Sequence, residues 1–180
     1  MNFNWIDTRG RYRPRLTAHD EYAESRVQYC ERMARLLPNF PAEVLTQWFY
    51  EHWADIDRYA WLEFQRLVFE RTNWSTWQVL ASGVKENQSV GIDQRHYETG
   101  VRGPRIERIV EFLESSGTWP VAPVFLENIA GDVAQPDVLR LTAPYHLLEG
   151  HHRVALLCVF ATRNAVVARH EVWVASLAAA

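Results

Sequence analysis

The chain has 180 residues, of which 19 are basic and 22 acidic, for a net charge of −3, and a field of that sign gives no help in binding DNA or an anionic membrane. The length suits one well-buried domain, or a domain with a helical extension, that buries about 70% of its unfolded surface. The N-terminus has no apolar h-region and no stretch reaches about 18 consecutive apolar residues, which argues against export and membrane spanning, and Cys30 and Cys158 at apolar helical positions fit buried thiols in a reducing cytoplasm.

Arg9, Arg11, Arg13 and Arg15 alternate through residues 1–16, with Gly10 and Pro14 interrupting any helix, so this segment reads as an extended, solvated arm. Thr17 is expected to cap a helix with Ala23, Val27, Cys30, Ala34 and Leu37 on one face, ended by Pro38. Pro41 starts a second helix carrying Val44, Leu45, Trp48, Phe49 and His52. A third, over 55–71, presents Ile56, Tyr59, Ala60, Phe64, Leu67 and Val68, and Asn73 or Ser75 opens a short fourth around Trp77–Leu80. Residues 1–82 therefore read as a helical N-terminal layer. Eight Trp, seven Tyr and eight Phe concentrate between Phe40 and Trp77. There they either fill that layer, with Trp48, Trp53 and Trp61 as core, or offer a protein partner the aromatic-rich helices 40–77 as a binding face.

Ser82-Gly83, Asn87, Gly91, Gly100 and Gly103 break the helical pattern over 82–103, which reads as a loop. Loops of this length are functional or mobile, so Arg95, His96 and Arg102 are secondary site candidates beside a solvated-surface reading. Pro104 begins a helix with Ile106, Ile109, Val110 and Leu113 on one face, closed by Gly117. Val121–Leu126 contains Pro123 and suits an edge or first strand. Ile129–Pro136 reads as a turn, Val138–Thr142 and Tyr145–Leu148 as strands, His151 to about Thr162 as a helix, and Ala165–Val174 as a last strand. The fold class is α+β or α/β, a small mixed-sheet domain over 83–180 after the helical layer, the two forming one compact unit.

The chemistry concentrates in Tyr145–Val159, YHLLEGHHRVALLCV: an apolar strand, the polar cluster Glu149-Gly150-His151-His152-Arg153, and an apolar helix. A glycine turn into a helix start allows close backbone approach and favours an anion there. Arg153 offers a planar fork of donors for phosphate, or a surface salt bridge to Glu149 four residues before it. Glu149 can hold Mg²⁺, take a hydroxyl proton, or merely cap the turn. His151 and His152 lie about 100° apart on a helix and do not together face one metal. Walker A, G-x-S-x-G, H-E-x-x-H and C-x-x-C patterns are all absent from the sequence.

Gly150-His151-His152-Arg153 after an apolar strand resembles the G-x-H/R-R signature of the ParB/sulfiredoxin superfamily, and RIERIVEFLESSGTWPVAPVFLEN (Arg105–Asn128) is similar to that family's opening helix, glycine turn and first strand. The resemblance covers about residues 90–177. It implies phosphate contact by Arg153, a nucleotide ligand such as ATP, ADP or CTP with Mg²⁺, and an acidic residue at Glu149 like that of free-serine kinases. The sulfiredoxin catalytic cysteine corresponds to His151, so sulfinic-acid repair is not expected. CTP-dependent ParB clamps carry Glu and Arg where His151 and His152 stand, so of that pair of arginines only Arg153 is kept. The residues after the signature leave no room for a helix-turn-helix domain, so DNA segregation is not expected either.

The sequence thus points to a nucleotide or phosphate-ester binding protein at Gly150, His151, His152, Arg153, Arg95 and Arg102, with phosphoryl transfer or hydrolysis through Glu149, His151 and His152. The alternative is a non-catalytic interaction protein, such as an antitoxin, immunity or phage-defence factor, on the same fold.

Overall fold

The computed structural model describes residues 10–101, 103–131, 133 and 141–178. These described residues fall into two compact units, one within 10–69 and 176–178 and the other within 70–133 and 141–175.

In the N-terminal unit, the first helix that lies wholly within the described residues is α1, Arg26–Met33, and it is shorter than the sequence led us to expect. Ser25 caps it: the Ser25 hydroxyl accepts from the Gln28 N–H, and the Gln28 amide oxygen accepts from the Ser25 N–H. Thr17 instead holds a turn, its hydroxyl accepting from the N–H groups of His19 and Glu21. The buried face is Tyr29, Met33 and Leu37, while Val27, assigned to the core from its spacing, is 67% exposed. The expected arm is partly built in, with 10–12 helical and Tyr12 buried; Arg9 lies outside the described residues.

The second helix starts as α2, Ala42–Val44, capped by Pro41, and continues with π geometry over Leu45–Tyr50. The third does not exist as one helix. Trp53–Leu62 is 3₁₀, Glu63 takes a left-handed conformation at φ 43°, Phe64–Arg66 is a further 3₁₀ turn, and the chain then extends as strand β1, Leu67–Ser75. Aromatic rings fill this unit edge to face. Phe49 lies 5.1 Å from Phe40, 5.0 Å from Trp48 and 5.0 Å from Phe64 between centroids, spacings at which ring quadrupoles attract. Trp48 and Trp61 are buried and Trp53 is half-buried, so the aromatic run is mainly core. Its hydroxyls are satisfied inside: Tyr29 donates to the Tyr12 carbonyl at 2.7 Å and Tyr50 to that of Glu24 at 2.8 Å.

In the second unit, Ser75 and Gln78 repeat the capping box at α3, Thr76–Leu80. The expected loop is largely a helix, α4, Gln88–Glu98, because the Asn87 side chain accepts from the Ser89 and Val90 N–H groups and Val90 and Tyr97 bury one stripe. Next come α5, Pro104–Ser116, closed by Gly117 as expected; β2, Val124–Glu127; β3, Tyr145–Glu149; α6, His151–Thr162; and β4, Arg169–Leu177. The sheet is mixed, in the order β1-β4-β2-β3, with β2 parallel to β4 and antiparallel to β3. The Ala178 N–H bonds the Arg66 carbonyl and the Thr76 N–H bonds that of Ala168, so β1 runs antiparallel to β4.

The strand with Pro123 before it, expected as an edge or first strand, is the first strand of residues 83–178 but lies between β4 and β3 rather than at an edge. The proline sits just ahead of the strand, where its missing N–H costs nothing and its carbonyl accepts from Trp173 at 2.9 Å. Residues 134–140, with most of the expected strand Val138–Thr142, lie outside the described residues; Leu141 and Thr142 are not strand. Eight consecutive residues of α6, Arg153–Phe160, are buried, and the helix packs against α3, α4 and α5. An α+β fold with a mixed sheet follows from these elements. Among the described residues no helix is long and apolar enough to cross a membrane.

Candidate functional site

β3 delivers Glu149, Gly150 turns, and α6 starts at His151. Gly150 is left-handed at φ 102°, and an added Cβ would stand 2.7 Å from Pro123 Cβ and 3.0 Å from Arg153 Nη2. Both the backbone angle and the space therefore demand glycine. No side chain caps α6 and no acidic residue occupies its first turn, so the positive end of the helix dipole is left uncompensated from within the helix. Two imidazoles, His151 and His152, both half-buried, stand on that turn.

Arg153 does not present its fork outward. It is 7% exposed, folds back across Gly150, donates through Nη1 to the Val121 carbonyl at 3.0 Å, and sets Nη2 3.4 Å from Glu149 Oε1. Of the sequence alternatives for Arg153, the structure displays the ion pair with Glu149, and the pair is buried rather than on the surface. The arginine thus ties β3 and α6 together around the glycine. Glu149 is equally enclosed and pairs with this guanidinium, so a Mg²⁺ ion at Glu149 would have to displace Arg153. Among the described residues no three His, Cys, Asp or Glu side chains converge as a metal site.

The secondary candidates separate. Arg95 and His96 are exposed on α4, and Arg102 lies outside the described residues. In their place the same helix contributes Asp93, which the sequence reading did not select. Its Oδ2 lies 2.8 Å from His152 Nδ1, off the line of a hydrogen bond. Asp93 falls three residues after Val90 and four before Tyr97, on the buried stripe of α4, whereas Arg95, about 200° further round, points elsewhere. The Asn87 cap and the Val90/Tyr97 spacing were the available signal for this helix.

His146 on β3 is the second residue missed. It is buried, and its Nδ1 accepts from the Thr142 N–H at 3.2 Å. Burial, and then the positive charge of nearby His151, push its pKa down to about 4, so the ring is neutral at neutral pH. Cys158 and Cys30 are free thiols, the first buried with its pKa pushed up to about 11 by burial, the second half-buried.

No protein-family model matches this chain, and no curated protein or solved structure matches it.

Proposed function

We propose that the β3–Gly150–α6 junction binds the phosphate of a nucleotide or of a phosphorylated small molecule, at the turn to which the resemblance to ParB/sulfiredoxin proteins points but not through the arginine that the resemblance implies. The carrying observation is the junction itself: a left-handed glycine with no room for a side chain, leading into a helix whose own first turn has two imidazoles and neither a side-chain cap nor an acidic residue. In this reading His151 contacts the anion with His152 beside it, Gly150 lets the backbone approach it, and Arg153 acts inward, offsetting the Glu149 charge within the turn. The helix end supplies only about 0.3–1 kcal/mol at an exposed site, so hydrogen bonds from His151 and the backbone N–H groups of the turn supply the rest.

Calorimetric titration with ATP, ADP, CTP, GTP and inorganic phosphate, with and without Mg²⁺, tests this. The expected result is binding that weakens about tenfold or more when His151 and His152 are both replaced by Gln. No heat at millimolar concentration for any of them would sink it. A second reading, a partner-binding protein, is favoured by Trp77 at the start of α3, which is 74% exposed although most of the aromatics before it are buried.

A further inference from the structure

We infer, resting on the phosphate site just proposed, that Asp93 and His152 form a general-base pair that hydrolyses the bound phosphate ester. His152 Nδ1 is sealed from solvent and lies 2.8 Å from Asp93 Oδ2, while the His152 side chain is 43% exposed. The exposed part of the ring is therefore its Nε2 side. The Asp93 side chain is mostly covered, 15% exposed, on the stripe of α4 that Val90 and Tyr97 bury. A carboxylate in such a place is costly unless a cationic or hydrogen-bonding partner faces it, and His152 Nδ1, 2.8 Å away, is placed to become that partner once the ring turns into line. The two come from different helices packed against each other, so their separation is set by the core. The pair lies off hydrogen-bond alignment, as catalytic pairs often do before substrate tightens them.

The step needs only water and an ester. His152 Nε2 takes a proton from water as the water oxygen forms its bond to phosphorus. The ester P–O bond breaks, its electron pair leaving on the alcohol oxygen. That oxygen departs on the side of phosphorus away from His152 and takes its proton from solvent, while the imidazolium, stabilised by the Asp93 carboxylate, returns its proton to solvent, giving phosphate and alcohol. His152 is the catalytic residue and Asp93 the positioning residue that fixes its tautomer.

p-Nitrophenyl phosphate and bis(p-nitrophenyl) phosphate are the probes, with inorganic phosphate binding measured on the same preparations. The wild type is expected to release nitrophenolate. Asp93→Asn should lower kcat about 10–100-fold with KM within about twofold, and His152→Gln should lower kcat at least as far. A purely structural pair would move stability and leave this split undisturbed. The half-exposed His152→Gln variant keeps the test valid should Asp93→Asn fold poorly. Release at the buffer rate, or release indifferent to both substitutions, in a wild type that binds inorganic phosphate overturns the pair as a base and leaves the binding site standing. Failure of the wild type to bind phosphate removes the reading beneath it.

Discussion

The two units solve the problem of a core differently. The N-terminal unit fills its interior with uncharged rings, Tyr12, Tyr29, Phe40, Trp48, Phe49 and Phe64, and its main buried charge, Glu24, is met by Arg32 through both carboxylate oxygens and by the Arg15 N–H. The sheet unit encloses ionisable groups as working parts of its frame: the Glu149–Arg153 pair at the turn, His146 on β3, and His170 on β4 between the hydroxyls of Thr76 at 3.0 Å and Thr118 at 2.9 Å. Rings packed on rings depend little on pH. A frame that contains neutral histidines and one enclosed ion pair depends on protons and on each partner's presence.

The largest effect is expected at the ion pair. Arg153→Ala leaves Glu149 buried without its countercharge and should cost about 3–5 kcal/mol, whereas replacing both partners together, Glu149→Leu with Arg153→Met, should cost far less. Urea unfolding of the single and double variants checks this. Equal losses would mean that the pair's charge is not what holds the turn, and the contrast between the units would weaken. Gly150→Val comes next, at about 2–4 kcal/mol, since it meets both a left-handed backbone and the fixed ring of Pro123. An unchanged melting temperature would contradict that geometry.

Acid should separate the units. Burial lowers the pKa of His146 and His170 to about 4 from an ordinary 6.5. The unfolded chain then takes up protons that the folded one refuses, so stability is full above pH 6.5, falls as pH drops from 6.5 to about 4, and levels off below. Each histidine contributes on the order of 1–3 kcal/mol to that fall. Glu24 follows another window. Burial alone would raise its pKa, but Arg32 and the Arg15 N–H together hold it below the ordinary 4.5, so its contribution is lost only as pH falls below that value. Hydrogen exchange should show β2, β3 and α6 losing protection between pH 6.5 and 4.5 while α1 and the π-helical turn Leu45–Tyr50 keep theirs. Simultaneous loss would break the comparison.

What could be read in the sequence followed the strength of local signals. α5 was legible because Pro104 and Gly117 mark its two ends, and the β3–Gly150–α6 junction because apolar runs flank one glycine. β1 was not, because Phe64, Leu67 and Val68 match helical spacing, and only the left-handed Glu63 breaks the helix before them. α4 was hidden by Gly91, although nothing there requires glycine, since an added Cβ would meet only the end of Arg95 at 3.5 Å. At the site, the sequence named the histidines, but the inward turn of Arg153 and the approach of Asp93 depend on packing between elements far apart in the chain, which local pattern does not encode.

The smallest predicted effect sharpens the comparison by removing the part the units share. Both use one capping device: Ser25 with Gln28 at α1, and Ser75 with Gln78 at α3, each closed by two exposed hydrogen bonds, at 3.3 and 2.9 Å in the first and 3.1 and 2.8 Å in the second. Ser25→Ala and Ser75→Ala should each cost about 1 kcal/mol, because each leaves one helix-start N–H without its side-chain acceptor. The losses should be alike and independent of pH between 7 and 5, since neither cap titrates. Equal values, read by hydrogen exchange in each unit separately, would place the difference between the units in their buried ionisable groups. A cap in the sheet unit that cost several times more than its counterpart would place it instead in how firmly local structure is anchored to each core.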